Sequence, residues 1–142
     1  MRRLITMFVF LLLLLGFFGC RSEPFPSYPP RTMPPEAKSA VAVGEGRALF
    51  MRLCAGCHGR ADEGRSPRAD FFAPQAPDFR DPRYARHDPA YLYWRIDLGK
   101  QAEPYRSHGS VMPGWHELGE TAIWNLVAYL RQRAGGKGDV RR

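Results

Sequence analysis

Residues 54–58 read Cys-Ala-Gly-Cys-His, two thiols and an imidazole within five positions. On a helix, side chains three apart share a face, so Cys54 and Cys57 can reach one flat cofactor together. The pattern C-x-x-C-H is the attachment signal for c-type haem. The two thiols become thioethers on the porphyrin vinyl groups, and His58 offers its imidazole to the iron as the proximal ligand. Two other chemistries use such residues. A redox dithiol would sit near a strand–helix–strand pattern, and no credible strand is visible. A structural zinc site takes four ligands, yet His87, His108 and His116 form no second short-spaced pair. One covalently bound haem c is the expected cofactor, with zinc and dithiol as its rivals.

The opposite axial position needs a second ligand. Of the five methionines, Met1 and Met7 lie in an apolar leader and Met33 in a proline-rich stretch. Met51 stands one turn before Cys54, where it suits packing between helices. Met112 remains, in Ser-Val-Met-Pro-Gly-Trp, and Pro113 restricts it to the extended backbone of a loop-borne ligand. Thioether sulfur binds haem iron well, and His/Met ligation raises the reduction potential. His108 and His116, each four residues from Met112, are the rivals and would give a lower potential. Trp94, Arg95 and Trp115 are candidate donors to the haem propionates, because indole N–H and guanidinium groups pair well with carboxylates.

Three helices would carry these residues. The first contains Gly-Glu-Gly-Arg-Ala-Leu-Phe-Met-Arg-Leu and runs into the Cys-Ala-Gly-Cys-His motif, with Gly59 as a stop. The second has Asp88 as cap, Pro89 at its first position and Gly99 at its end. The third is the most regular, with Ile123, Leu126, Val127 and Leu130 spaced along one helical face. Between the first two lies a loop of 28 residues rich in Gly, Pro and Asp. Loops that long are uncommon in a small domain without a function or a constraint, and a bound cofactor supplies one.

The N-terminus reads as an export signal: Arg2 and Arg3, an apolar run from Leu4 to Phe18, then Gly19 and Cys20. The run is short against the about 20 residues of a membrane span. An uncleaved anchor helix is the rival, and either reading exports the rest of the chain. Gly19-Cys20 resembles the lipobox of bacterial lipoproteins, in which the cysteine is acylated. Phe17 departs from that pattern, standing where Leu or another aliphatic residue is usual. Residues 1–19 are thus expected to be a lipoprotein-type signal peptide and 20–41 a Pro-rich, semi-rigid tether. Residues 42–134 form the folded domain, and 135–142 a flexible basic tail.

The net charge of +7 becomes +5 when Arg2 and Arg3 leave, 19 basic side chains remaining against 14 acidic. A spread positive surface of this kind suits partners with acidic docking faces. No basic and aromatic stripe follows a nucleic-acid motif, so nucleic acid is excluded. No acid, base and nucleophile gather in the sequence, so neither an enzyme nor a small-molecule substrate is expected.

The chain also resembles the class I c-type cytochromes, small helical electron carriers, over about Gly44 to Arg133. The resemblance rests on GRALFMRLCAGCHG, VMPGW and TAIWNLVAYLR. It implies an all-α fold of three to four helices with long loops around one haem, and a distal methionine in a Met-Pro turn, here Met112. It implies that Gly46 and Phe50 on the first helix meet Tyr129 on the last. It also implies a proline carbonyl, from Pro74 or Pro77, bonded to the His58 Nδ1–H. The expected role is a monohaem carrier passing single electrons between respiratory-chain partners at the periplasmic membrane surface. The alternatives are a relay subunit of a larger oxidoreductase and a haem sensor or enzyme with an open distal site.

Overall fold

Residues 25–60 and 63–136 are described by a computed structural model of the chain. The signal peptide, Cys20 and most of the basic tail lie outside the described residues. Within them the fold is all helical: α1 Ala40–Leu53, α2 Ala55–His58, α3 Arg83–Arg86, α4 Pro89–Leu98 and α5 Glu120–Gly135. Short 3₁₀ turns join them, and there is no strand among the described residues.

α1 starts at Ala40, four residues before the glycine from which it was expected. The Ser39 hydroxyl accepts the Ala42 N–H at 3.1 Å and satisfies an orphan donor of the first turn. The valines and glycines that follow are weak helix formers, and tertiary burial of Ala42 and Gly46 outweighs that preference. At Cys54 the helix breaks for one residue, and α2 then carries the rest of the motif to Gly59. Gly59 turns the chain out at φ 75°, a conformation that glycine adopts freely. α4 has the expected Asp88 cap, its carboxylate accepting the Ala90 N–H at 2.9 Å.

α5 is the axis of the domain and packs against α1, α3 and α4. Every residue from Ile123 to Leu130 is buried, a wider surface than the four-residue stripe in the sequence suggests. The α1–α5 crossing is very close. A Cβ on Gly46 would lie 1.9 Å from the Asn125 carbonyl oxygen, a backbone atom that cannot yield. Beside it Phe50 is 1% exposed, its ring 5.2 Å from that of Tyr129. The Asn125 amide closes the crossing by donating to Glu45 at 2.7 Å. Gly46→Ala is therefore expected to destabilise the domain by about 2–3 kcal/mol, read as a Tm loss of roughly 10 °C or more. An unchanged melting curve would show that the two helices can part without loss.

Residues 25–41, most of the stretch read as a Pro-rich, semi-rigid tether, are described from Phe25 onward and lie against the domain. Phe25 packs on Tyr91 at 5.0 Å between ring centroids, and Tyr28 on Tyr91 at 5.6 Å. The Tyr28 hydroxyl donates to Asp88 at 2.9 Å, and the Arg31 guanidinium lies over the Tyr93 ring at 4.5 Å. Ala37 is fully in the core, and Val41 already belongs to α1. Prolines dominate the composition here and suggest a solvated rod. The single aromatic and apolar side chains between them do the docking, and an extended strap needs no helical or alternating period to bury them.

Candidate haem site

The site is assembled from α1–α2, the long loop that follows, the end of α4 and the loop before α5. Cys54 and Cys57 are half-buried free thiols at the α1–α2 junction. Cys54 ends α1 by donating its N–H to the Phe50 carbonyl at 2.8 Å. Its own carbonyl then accepts from Cys57 and His58, which starts α2 and sets the spacing of the motif. Burial, helped by the neighbouring Cys57 thiol, pushes the Cys54 pKa up to about 12, so it stays a neutral thiol. Zinc wants thiolates in a cage of four, and no three His, Cys, Asp or Glu side chains gather among the described residues.

His58 is buried, its ring tilted against that of Phe79 at 4.7 Å between centroids. Its Nδ1 meets the Pro77 carbonyl at 3.3 Å. A carbonyl at Nδ1 calls for the proton there and leaves Nε2 as the nitrogen with a free lone pair, the form a metal-bound imidazole needs. Burial lowers the His58 pKa to about 4, against the opposing Pro77 bond and with help from Arg133 and Arg95. The ring is thus neutral and able to ligate throughout the physiological range. Of the two prolines implied by the resemblance, Pro77 faces the histidine, while Pro74 is exposed and makes no such bond.

The loop after His58 is held by Arg133 of α5. Its guanidinium donates to the carbonyls of Gly59 at 3.2 Å, Arg60 at 2.6 Å and Glu63 at 2.9 Å, and lies over the Phe50 ring. Four or five hydrogen-bond donors in a fixed fork suit Arg to several carbonyls at once. Nothing in the local sequence pairs residue 133 with residues 59–63.

Met112 is half-buried against the core cluster that also takes Cys54 and Phe79. Its carbonyl accepts the Lys100 N–H at 2.6 Å, and the Trp115 N–H reaches the carbonyls of Ile96 at 3.0 Å and Asp97 at 3.1 Å. The loop is pressed onto the end of α4 because two glycines face each other there. A Cβ on Gly99 would meet the Pro113 carbonyl oxygen at 2.1 Å, and one on Gly114 the Asp97 carbonyl oxygen at 2.9 Å. Gly99 was legible only as a helix stop; its role as a seat for Pro113 depends on a contact between distant segments. His108 and His116 stand exposed, and His116 pairs with Glu117 at 3.0 Å.

Trp94 is buried among Tyr28, Tyr91 and Tyr105, and Trp115 is half-buried at the loop. Arg95 is half-buried and bonds to the Gly99 carbonyl and to Ser110 Oγ at 3.0 Å. It has no carboxylate partner among the described residues.

The family model described as cytochrome c oxidase, cbb3-type, subunit III matches residues 41–130. The chain belongs to that family. It is a class I c-type cytochrome, and its cofactor is haem c, held covalently in the Cys54–Cys57–His58 region. A search of curated proteins found no match. The residues at this site fit the group: paired thiols on one turn, a neutral imidazole with Nε2 open, and a half-buried thioether in a pinned loop. Once in place, haem supplies a one-electron ferrous–ferric couple. The cytochrome's own side chains orient the imidazole, exclude water with Phe50, Phe79 and the Tyr91–Trp94 cluster, and hold the loop closed.

Proposed function

We propose that this cytochrome is an exported, membrane-attached one-electron carrier whose iron is ligated by His58 and Met112. The observation that carries the reading is the fixed loop bearing Met112, pinned through Lys100 and Trp115 to the end of α4. A strong, held second ligand leaves no exchangeable position for substrate or gas and limits rearrangement between the two oxidation states. The exposed placement of His108 and His116 supports Met112 over its rivals. Partners are redox proteins with acidic docking faces, attracted by the net positive surface.

Attachment is assigned to Cys20, acylated after cleavage of residues 1–19 on the periplasm-facing side. No helix among the described residues is long and apolar enough to cross a membrane. The docked strap changes the geometry of that anchor. Five residue steps from Cys20 to Phe25 reach at most about 18 Å, whereas a free 20-residue proline-rich tether would reach about 60 Å. The haem domain would ride close to the bilayer.

A second reading, a relay subunit of a larger oxidase complex, is favoured by the subunit III description of the matching family. Both readings require a closed haem. Reduced native protein should show an unchanged spectrum under carbon monoxide; ready binding would overturn the carrier assignment. Cys20→Ser should release the protein from membranes, and unchanged retention would remove the lipid. Co-purification with a haem–copper complex after mild solubilisation separates the relay from the free carrier.

A further inference from the structure

We propose that Arg95 is the positioning residue that keeps the Met112 loop closed over the haem, an inference that rests on Met112 being the distal ligand. The guanidinium sits at the meeting point of every segment that shapes the loop. From α4 it donates to the Gly99 carbonyl, where the helix ends and the loop is seated. It also donates to Ser110 Oγ at 3.0 Å, and the same oxygen accepts the Met112 N–H at 3.4 Å. Its flat face lies on the Tyr105 ring at 3.9 Å, and the Tyr105 hydroxyl is bonded to Tyr91 on α4 at 2.5 Å. A single cation thus ties Gly99, Tyr105 and Ser110 together, one hydrogen bond away from the methionine amide.

Energetics argue that this arrangement serves more than folding. A half-buried guanidinium loses hydration, and the protein groups it meets here are the Gly99 carbonyl, Ser110 Oγ and the Tyr105 ring. An apolar residue of similar size would fill the position at less cost. What an apolar residue cannot do is hold a loop in one register through directed, charge-assisted bonds.

A closed loop makes ligand exchange slow, because an external ligand reaches the iron only while Met112 is away. Losing a hydrogen bond from a charged group should raise the open fraction about ten- to a hundred-fold. The test uses ferric holoprotein and imidazole as the external ligand. The readout is the rate at which the methionine-sulfur charge-transfer band disappears. Arg95→Leu should keep the band at rest and lose it about ten- to a hundred-fold faster under imidazole. Ser110→Ala should speed the loss by a smaller factor, and adding it to Arg95→Leu should give less than the product of the two effects. Arg95→Lys keeps the charge without the fork and should exchange faster than the native protein.

Gly46→Ala, which loosens the domain at a remote crossing, shows how much exchange rises from lost stability alone. Rates in Arg95→Leu and Ser110→Ala no higher than in Gly46→Ala at equal Tm would overturn the proposal. So would an Arg95→Lys protein that exchanges at the native rate. If Arg95→Leu fails to load haem, Ser110→Ala and Arg95→Lys decide alone by the same criteria. Survival of the band in Met112→Ala would instead defeat the ligand assignment, before any Arg95 variant is compared.

Discussion

Replacing both Cys54 and Cys57 by alanine is expected to yield a chain without covalent haem and without a stable domain. Covalent attachment is a property of the two thiols alone, since no other described side chain stands on the same turn with comparable chemistry. With one thiol left, a single thioether should form and the haem should still survive denaturation, with a shifted absorbance. With neither, haem is held only through His58 and Met112 and packing, and denaturation should strip it. The loss of stability follows by mass action. A group that binds only the folded state at a hundred to a thousand times its Kd adds about 3–4 kcal/mol, and covalent linkage makes its effective concentration higher still. Against a total of about 5–15 kcal/mol for a typical domain, that loss is large. The check is haem-dependent peroxidase staining on a denaturing gel, together with a thermal melt. Haem that still migrates with the double variant would sink the attachment assignment.

The second large effect is expected at Met112. Met112→Ala removes the only half-buried thioether in the loop next to α4, and neither His108 nor His116 is placed to replace it without moving the loop. The reduction potential should fall by roughly 0.1 V or more, a fraction of the about 0.8 V that axial ligands span. The reduced variant should also bind carbon monoxide, which the native protein should refuse. Met112→His separates the two consequences: a strong nitrogen ligand lowers the potential yet keeps the site closed. A redox titration and a carbon monoxide difference spectrum of each variant decide the matter. An unchanged potential in Met112→Ala would move the distal ligand elsewhere, with His108 and His116 the first to be replaced.

Much of this protein was legible as sequence because its informative features are local. The Asp88–Pro89 start and Gly99 end of α4 depend on side chains bonding to backbone a few residues away, and the structure has both. The Cys54–Cys57–His58 cluster spans five residues at the α1–α2 junction, so its spacing nearly implies its geometry. The Pro77 carbonyl was only half legible. Two prolines were available, and which one reaches His58 depends on how the loop folds back across 19 residues. Arg133 and its carbonyl partners were illegible, because a bond between residues some seventy apart leaves no local trace. The docking of the strap was illegible for a different reason. Proline composition suggested a rod, and the partners of Phe25 and Tyr28 lie on α4, out of reach of any pattern within the strap itself.

By itself the sequence determined the cofactor, its covalent attachment and the helical class of the domain. Each of these follows from residue chemistry within a turn or two of helix, where spacing and geometry are nearly the same thing. Tertiary structure alone decided which carbonyl fixes His58 and how Gly99 and Gly114 seat the Met112 loop. It alone placed Arg95 at the centre of that loop and laid the strap from Phe25 onto the domain. Those are contacts between segments far apart in the chain, set by how closely backbones approach and which donors meet which acceptors.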